Sequence, residues 1–492
     1  MFPSNSPRSL AHAVVVALAF AVIVSQIPLL GQIAVRNQGF VPFSDEPINY
    51  RADPDDPVAR LQKRLDDGKV ALAWEPRNGY LESVLSQLQI DSTSQMLVFS
   101  KTSFQYKKIS PSTPRALYFN DDVYVGKVHG GKALELISFD AKQGAIFYLL
   151  DEEAQAKPRF QRAELDCTVC HVAPTTRNVP GVLVRSIYPM PTGTQALRTP
   201  AFLTGHDSPL SERFGGWYVT GSVGRQRHLG NVVVTDTANP LAVDREAGAN
   251  IASLEGRIDT APYLTPYSDV VAQLVHAHQT QAHNLMTLTN YQTRIALYEQ
   301  AARNRAEGRP ESEISPETRR RIEAPAEELV RYLLFAGESE LTDAVKGSSG
   351  FAEAFAARGP RDRKGRSLRD FDLQTRLFRY PLSYLVYTDA FDALPDPARS
   401  VRLRPPVRGA HGQQRSRRIL VARREGSPRH LRHPARHEER PARVVEDTRA
   451  RDGIDGIGRT IRSTAIGALG RYFKSADAES PSPYWTERIG DS

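Results

Sequence analysis

Cys167-Thr168-Val169-Cys170-His171 is the stretch of this sequence whose residue types and spacing prescribe a chemistry. In C-x-x-C-H, two thiols three positions apart can each form a thioether to one of the two vinyl groups of a single porphyrin. The histidine that follows offers a neutral imidazole to the iron from one side. These are the only two cysteines in 492 residues, which excludes a disulfide framework and a four-cysteine zinc site. Three other uses of the motif compete. A C-x-x-C redox pair would want a thioredoxin-like βαβ setting, which the flanking pattern lacks. A zinc site would need a further ligand, and a simple disulfide would use the thiols alone. The reading adopted is one covalent haem c, attached at Cys167 and Cys170, with His171 as the proximal iron ligand.

The sixth iron position has several candidates. Met190, in SIYPMPTG, lies 19 residues after His171 between two prolines, on an extended loop; a methionine there would raise the potential. His228, in GRQRHLGN, falls at a turn between two apolar runs, and His206 falls in the turn TGHDSP. In the helical stretch after Ser268, His276 and His283 share one face. His278 instead joins Val271, Leu274, Ala282 and Leu285 on an apolar stripe. The distal candidates are therefore His228, Met190 and His278, beside an open or water-bound position. The plain alternative for each is a packed core side chain. No catalytic residue can be assigned: neither a Ser-His-Asp arrangement nor H-E-x-x-H is present, and GSVGRQ lacks the phosphate-loop pattern.

The elements that must position these residues read as α+β: small antiparallel sheets, a helical haem segment, a mainly α-helical C-terminal half and a disordered tail. Helical spacing at Val58, Leu61 and Leu65, and at Leu81, Val84, Leu85 and Leu88, opens the folded body. MLVFS, RALYF, DVYVGKV, LELISF and AIFYLL then predict strands between about Met96 and Leu150, separated by NDD, GG and AKQG turns. Residues 161–172 predict a helix carrying the cysteines. Further strands are expected at 182–188, 216–221 and 231–236. Helices are expected from about Ser268, over Pro316–Phe335 and over Phe351–Ala357, before an aromatic-rich Leu373–Leu394. The corresponding regions are 1–36 (signal anchor or signal peptide), 37–152 (an α+β domain), 153–260 (the haem-binding region), 261–398 (a helical domain) and 399–492 (an Arg-rich tail).

The two ends differ from this body. Leu10 to Val24 is almost unbroken apolar sequence, extendable to Val35 and preceded by Arg8. It is long enough for the ~20 residues that cross a bilayer. It predicts a single-pass inner-membrane anchor with the body on the periplasmic side. From Arg399 to Arg451 there are sixteen arginines, no lysine and five acidic residues. That segment accounts for the formal charge of +8, so the body is close to neutral and no nucleic-acid partner is expected. Arg-rich, lysine-free text of this kind is what a GC-rich gene yields out of frame, so the tail reads as a frameshift product without a stable fold.

Four runs, together with the cysteine motif, carry a family likeness: SKTSFQYKKISPSTPRALYFNDDVYVGKVHGG, SPLSERFGGWYVTGSVGRQRHLGN, HQTQAHN and GRSLRDFDLQTRLFRYPLSYLVY. Over about residues 45–395 the chain resembles a family of bacterial membrane-anchored proteins with a monohaem cytochrome c domain. The resemblance implies haem binding and electron transfer, with Cys167 and Cys170 as thioether sites and His171 as proximal ligand. In that family methionine is frequent at the position of Leu229, and tryptophan stands at that of Phe214. The departure at Leu229 argues against a methionine ligand there. The expected function is electron transfer with a redox partner protein. A haem enzyme (an oxidoreductase or peroxidase-like protein) and a haem-based sensor are the alternatives, both needing an open sixth position.

Overall fold

The computed structural model describes residues 43–401. The expected anchor and the Arg-rich tail beyond Val401 lie outside the described residues.

The first helix, α1 (Pro57–Asp66), starts where Asp56 can cap it. The Oδ1 atom accepts from the backbone of Val58 (2.8 Å) and Ala59 (3.2 Å), and Pro57 needs no amide partner at that position. Asp56 is fully buried, and its second oxygen accepts from the Tyr148 hydroxyl at 2.6 Å. A shorter helix, α2 (Leu81–Gln87), buries Leu81, Val84 and Leu85. These two helices pack on the outer face of a six-stranded sheet.

That sheet is an antiparallel meander in chain order: β1 (Met96–Val98), β2 (Arg115–Phe119), β3 (Val123–Lys127), β4 (Ala133–Asp140), β5 (Gly144–Asp151) and β6 (Phe160–Arg162). The mixed α and β class expected from sequence is what the chain adopts, and all five expected strands are present. Strand alternation divides the side chains between two cores. Leu97, Ala116, Tyr118, Val125, Leu136, Ile146 and Leu150 pack outward with Val58, Leu61, Val84 and Leu85. Met96, Phe119, Tyr124, Phe139 and Phe147 face inward, towards a core that runs on to Leu394.

The inner face is covered by helical and irregular chain. After β6 comes α3 (Leu165–His171), so the expected helix over 161–172 is one short helix preceded by a strand. The expected strands at 216–221 and 231–236 do not form as strands, and 182–188 keeps only β7 (Arg185–Ser186), paired with β8 (Phe202–Leu203). The apolar run is there, but left-handed backbone at Phe214, Gly216, Gly221 and Asn231 breaks any continuous ladder. Isolated bridges replace it, such as Val98 with Trp217, and the Asn231 side chain holds both the amide and carbonyl of Val219 at 2.8 Å.

The long helix α4 (Val270–Ala306) passes through the centre of the body. Asp269 caps it with Oδ1, while Oδ2 accepts from the amides of Ser348 and Ser349. Every residue from Val270 to Thr287 is buried, polar ones included. Around it lie α5 (Pro316–Leu333), which ends just before left-handed Phe335, and α6 (Phe351–Ala357).

The expected inner-membrane placement is corrected here. Among the described residues no helix is long and apolar enough to cross a membrane. Even the 37-residue α4 is interrupted by His, Gln, Asn and Thr, whose groups find partners only in a protein interior.

Candidate functional site

Helix α3 brings the three motif residues to the inner side of the sheet. Positions three apart share a helix face, so Cys167 and Cys170 lie side by side. Cys167 is half-buried against the main core and Cys170 is exposed. Between them Thr168 is buried and Val169 is 78% exposed.

His171 ends the helix and is held in one orientation. Its Nδ1 donates to the carbonyl of Gly181 at 2.8 Å. A carbonyl can only accept, so Nδ1 carries the proton and Nε2 keeps its lone pair in the neutral ring. Packing pushes its pKa below the ordinary histidine value, with the Gly181 carbonyl opposing and the Arg115 cation adding to the shift. The ring lies 5.0 Å from that of Phe147 on β5. The loop returning to Gly181 is tight. Arg177 and Asn178 both adopt left-handed backbone, and the Gly181 amide donates to the His171 carbonyl at 3.0 Å. Asn284 of α4 fixes the next residue, accepting from the amide of Val182 (2.9 Å) and donating to its carbonyl (2.6 Å). A substituent on Gly181 would stand 2.2 Å from the Asn284 Oδ1, so only glycine permits this approach.

The sheet opposite is not fully covered. Strand register places Phe119, Tyr124, Ile137 and Phe147 in one row across β2 to β5. The neighbouring row is Leu117, Gly126, Glu135 and Leu149. Leu117, Ile137 and Leu149 are only half-buried, although their outward neighbours Tyr118, Leu136 and Leu150 are fully buried. Leu117, Ile137 and Cys167 pack against the same core. Gly126 is buried at the centre of that row, and the side chains of Leu117 and Arg115 lie over it, 3.2 Å and 3.7 Å from where a Cβ would stand. Arg115 reaches past Gly126 to pair with Glu135 at 2.7 Å, and the Arg115 Nε has no hydrogen-bond partner.

The distal candidates sit apart from one another. His278 is fully buried with both nitrogens engaged: Nδ1 with Nδ1 of His206 and Nε2 with the Ser383 hydroxyl, each at 2.8 Å. His228 accepts from the Gly230 amide through Nδ1 at 3.0 Å and stacks edge-on against Phe214. Met190 packs in a satellite cluster with Tyr188, Ala196, Phe202, Leu229 and Val234, a different cluster from that of Cys167. The Arg115–Glu135 pair at the inner face escaped the sequence reading, and His276 figures there only as sharing a face with His283, not as a distal candidate. Helical spacing puts His276 and His283 on one face and His278 on another, but what each ring meets is set by the surroundings of the helix.

The expectation of a metal-binding protein also needs correction. Among the described residues no three His, Cys, Asp or Glu side chains converge as a metal-binding group. The buried histidines are instead spent on one another, on hydroxyls and on aromatic packing. A metal ion caged by side chains alone has no place among them.

Compared with protein-family models, curated proteins and solved structures, the chain matches none.

Proposed function

We propose that this chain is a monohaem c-type cytochrome that exchanges electrons with a redox partner protein, as its resemblance to that family implies. The observation that carries the reading is the His171 Nδ1 to Gly181 carbonyl bond. A ligating histidine characteristically donates its other ring nitrogen to a carbonyl, which fixes the tautomer and raises the basicity of the ligating atom. Here that bond leaves Nε2 as the electron-pair donor.

The residues present fit the group. Cys167 and Cys170 lie on one face of α3, and each S–H adds across a vinyl group, the hydrogen passing to the vinyl carbon with nothing lost. A porphyrin supplies four ligands of its own, so the protein needs to bring no side-chain cage. The half-buried Leu117, Ile137 and Leu149 provide an apolar wall for one side of a flat group. Arg115, with its Nε unpartnered, offers a cation for carboxylates at the edge of that wall. When bound, the haem would supply a one-electron couple; the chain would hold it through Cys167 and Cys170 and orients the His171 imidazole through the Gly181 carbonyl.

The test is production of the full chain with a cytochrome c maturation system. Haem that survives denaturation and gives a two-thioether pyridine haemochrome spectrum is expected. The Cys167→Ser/Cys170→Ser double variant should lose it. A fully matured, soluble chain without covalent haem would refute the reading.

A further inference from the structure

We propose that His276 is the second axial ligand of the same haem, opposite His171, making the site a bis-histidine centre closed to outside ligands. This rests on the haem reading above.

Five buried histidines lie in or beside α4's inner half, and their partners differ. His278 has both nitrogens bonded, and His206 is bonded to His278. His283 meets the Tyr124 hydroxyl through Nδ1 at 3.1 Å, and His228 accepts from Gly230. His276 is 5% exposed and neither of its ring nitrogens makes a hydrogen bond with any described residue, whereas His206 and His283 each have Nδ1 engaged and only Nε2 buried without a partner. A buried imidazole without a partner forfeits its hydration for nothing, unless something else takes its lone pair.

Its position supplies that something. The His276 ring stands 5.3 Å from Phe119 and 5.3 Å from Tyr124, and 6.2 Å from Trp217. The His171 ring stands 5.0 Å from Phe147. Phe119, Tyr124, Ile137 and Phe147 form one row of the sheet. The two imidazoles therefore rise from the two ends of this row, with half-buried Ile137 between them. Tyr124 on β3 and Phe147 on β5 are two strand spacings, about 10 Å, apart, so both imidazoles stand over one stretch of the same sheet face. The helix that carries His276 also carries Asn284, which anchors the loop that orients His171. One rigid element thus governs both sides of the site.

The consequence is functional. With both axial positions filled by imidazole, the centre is an electron carrier rather than an oxygen- or peroxide-activating site. Its potential should fall below that of a His/Met pair, since methionine raises it.

The haem-loaded full chain tests this. The near-infrared magnetic circular dichroism of the ferric wild type should show the bis-imidazole band, and the ferrous form should not bind carbon monoxide. His276→Ala should keep its covalent haem, turn high-spin, bind carbon monoxide and return to low-spin on adding imidazole. His276→Met, which restores bulk and a softer donor, should move the band to the His/Met position. Covalent haem with an unchanged spectrum in both variants would overturn the assignment and leave the cytochrome reading standing. A wild type that is already high-spin would do the same. A chain without covalent haem would overturn both. If His276→Ala does not accumulate, the wild-type band and His276→Met decide the matter.

Discussion

Substituting Gly181 by alanine should disable the support of His171, and the structure sets the size of the effect. The added methyl would lie 2.2 Å from Oδ1 and 3.0 Å from Cγ of Asn284. Asn284 is fully buried and cannot swing aside without giving up both of its bonds to Val182. Losing two buried hydrogen bonds and leaving the Val182 amide and carbonyl unpaired costs about 2–5 kcal/mol. The same shift moves the carbonyl that accepts from His171. Urea unfolding of the haem-loaded protein, followed by circular dichroism, should show this loss for Gly181→Ala. Asn284→Ala alone removes the same bonds and should cost a similar amount. The double variant removes the collision as well, so its loss should fall short of the sum by at least about 1 kcal/mol, the scale of coupling expected for contacting residues. In Gly181→Ala the low-spin spectrum should also weaken, because the proximal imidazole is no longer held. Additive losses, or an unchanged unfolding midpoint for Gly181→Ala, would refute the claim that Gly181 and Asn284 form one lock on the proximal histidine.

Acid should destabilise the fold through its buried neutral histidines. Burial lowers His206 to about 3 and His228 to about 4. Their folded values lie below the unfolded value of about 6.5, so the stability they protect is full above that pH and is lost as pH falls towards 4 and 3. At about 1.4 kcal/mol per pKa unit, each contributes a loss of up to roughly 2 kcal/mol between pH 7.5 and 5. Thermal unfolding across that range should show a steep decline, which His228→Gln should make shallower; a flat profile would contradict it. His278→Ala should cost about 3–5 kcal/mol, since it opens a cavity among Tyr332, Phe335 and Phe378 and strips partners from His206 and Ser383. Its haem spectrum should stay low-spin, and conversion to high-spin would point to His278 as a ligand instead of His276.

The sequence by itself offered the haem-attachment reading, which stays a proposal, and most of the local elements. The pentapeptide can be weighed without a fold, because two thiols and an imidazole at this spacing suit one porphyrin better than a redox pair, a zinc site or a simple disulfide. The strands from Met96 to Leu150 were equally legible, since period-two alternation and turn residues are local signals. The same apolar signal misled at 216–221 and 231–236, where glycine and asparagine in left-handed backbone break the ladder. The expected inner-membrane placement failed on the described helices, none of which is apolar enough. What only the tertiary structure decided is how the histidines are used. His276 and His278 are two residues apart on one helix, both buried and chemically identical. One turns to His206 and Ser383, the other to a row of the sheet that begins some 150 residues earlier in the chain. Buried all round from Val270 to Thr287, this half of α4 has no polar face to read from its own sequence, so a ring's partner depends on which strand or loop packs there. The proximal lock has the same origin. Gly181 and Asn284 are about a hundred residues apart, and only their contact shows why one must be glycine and the other a buried amide.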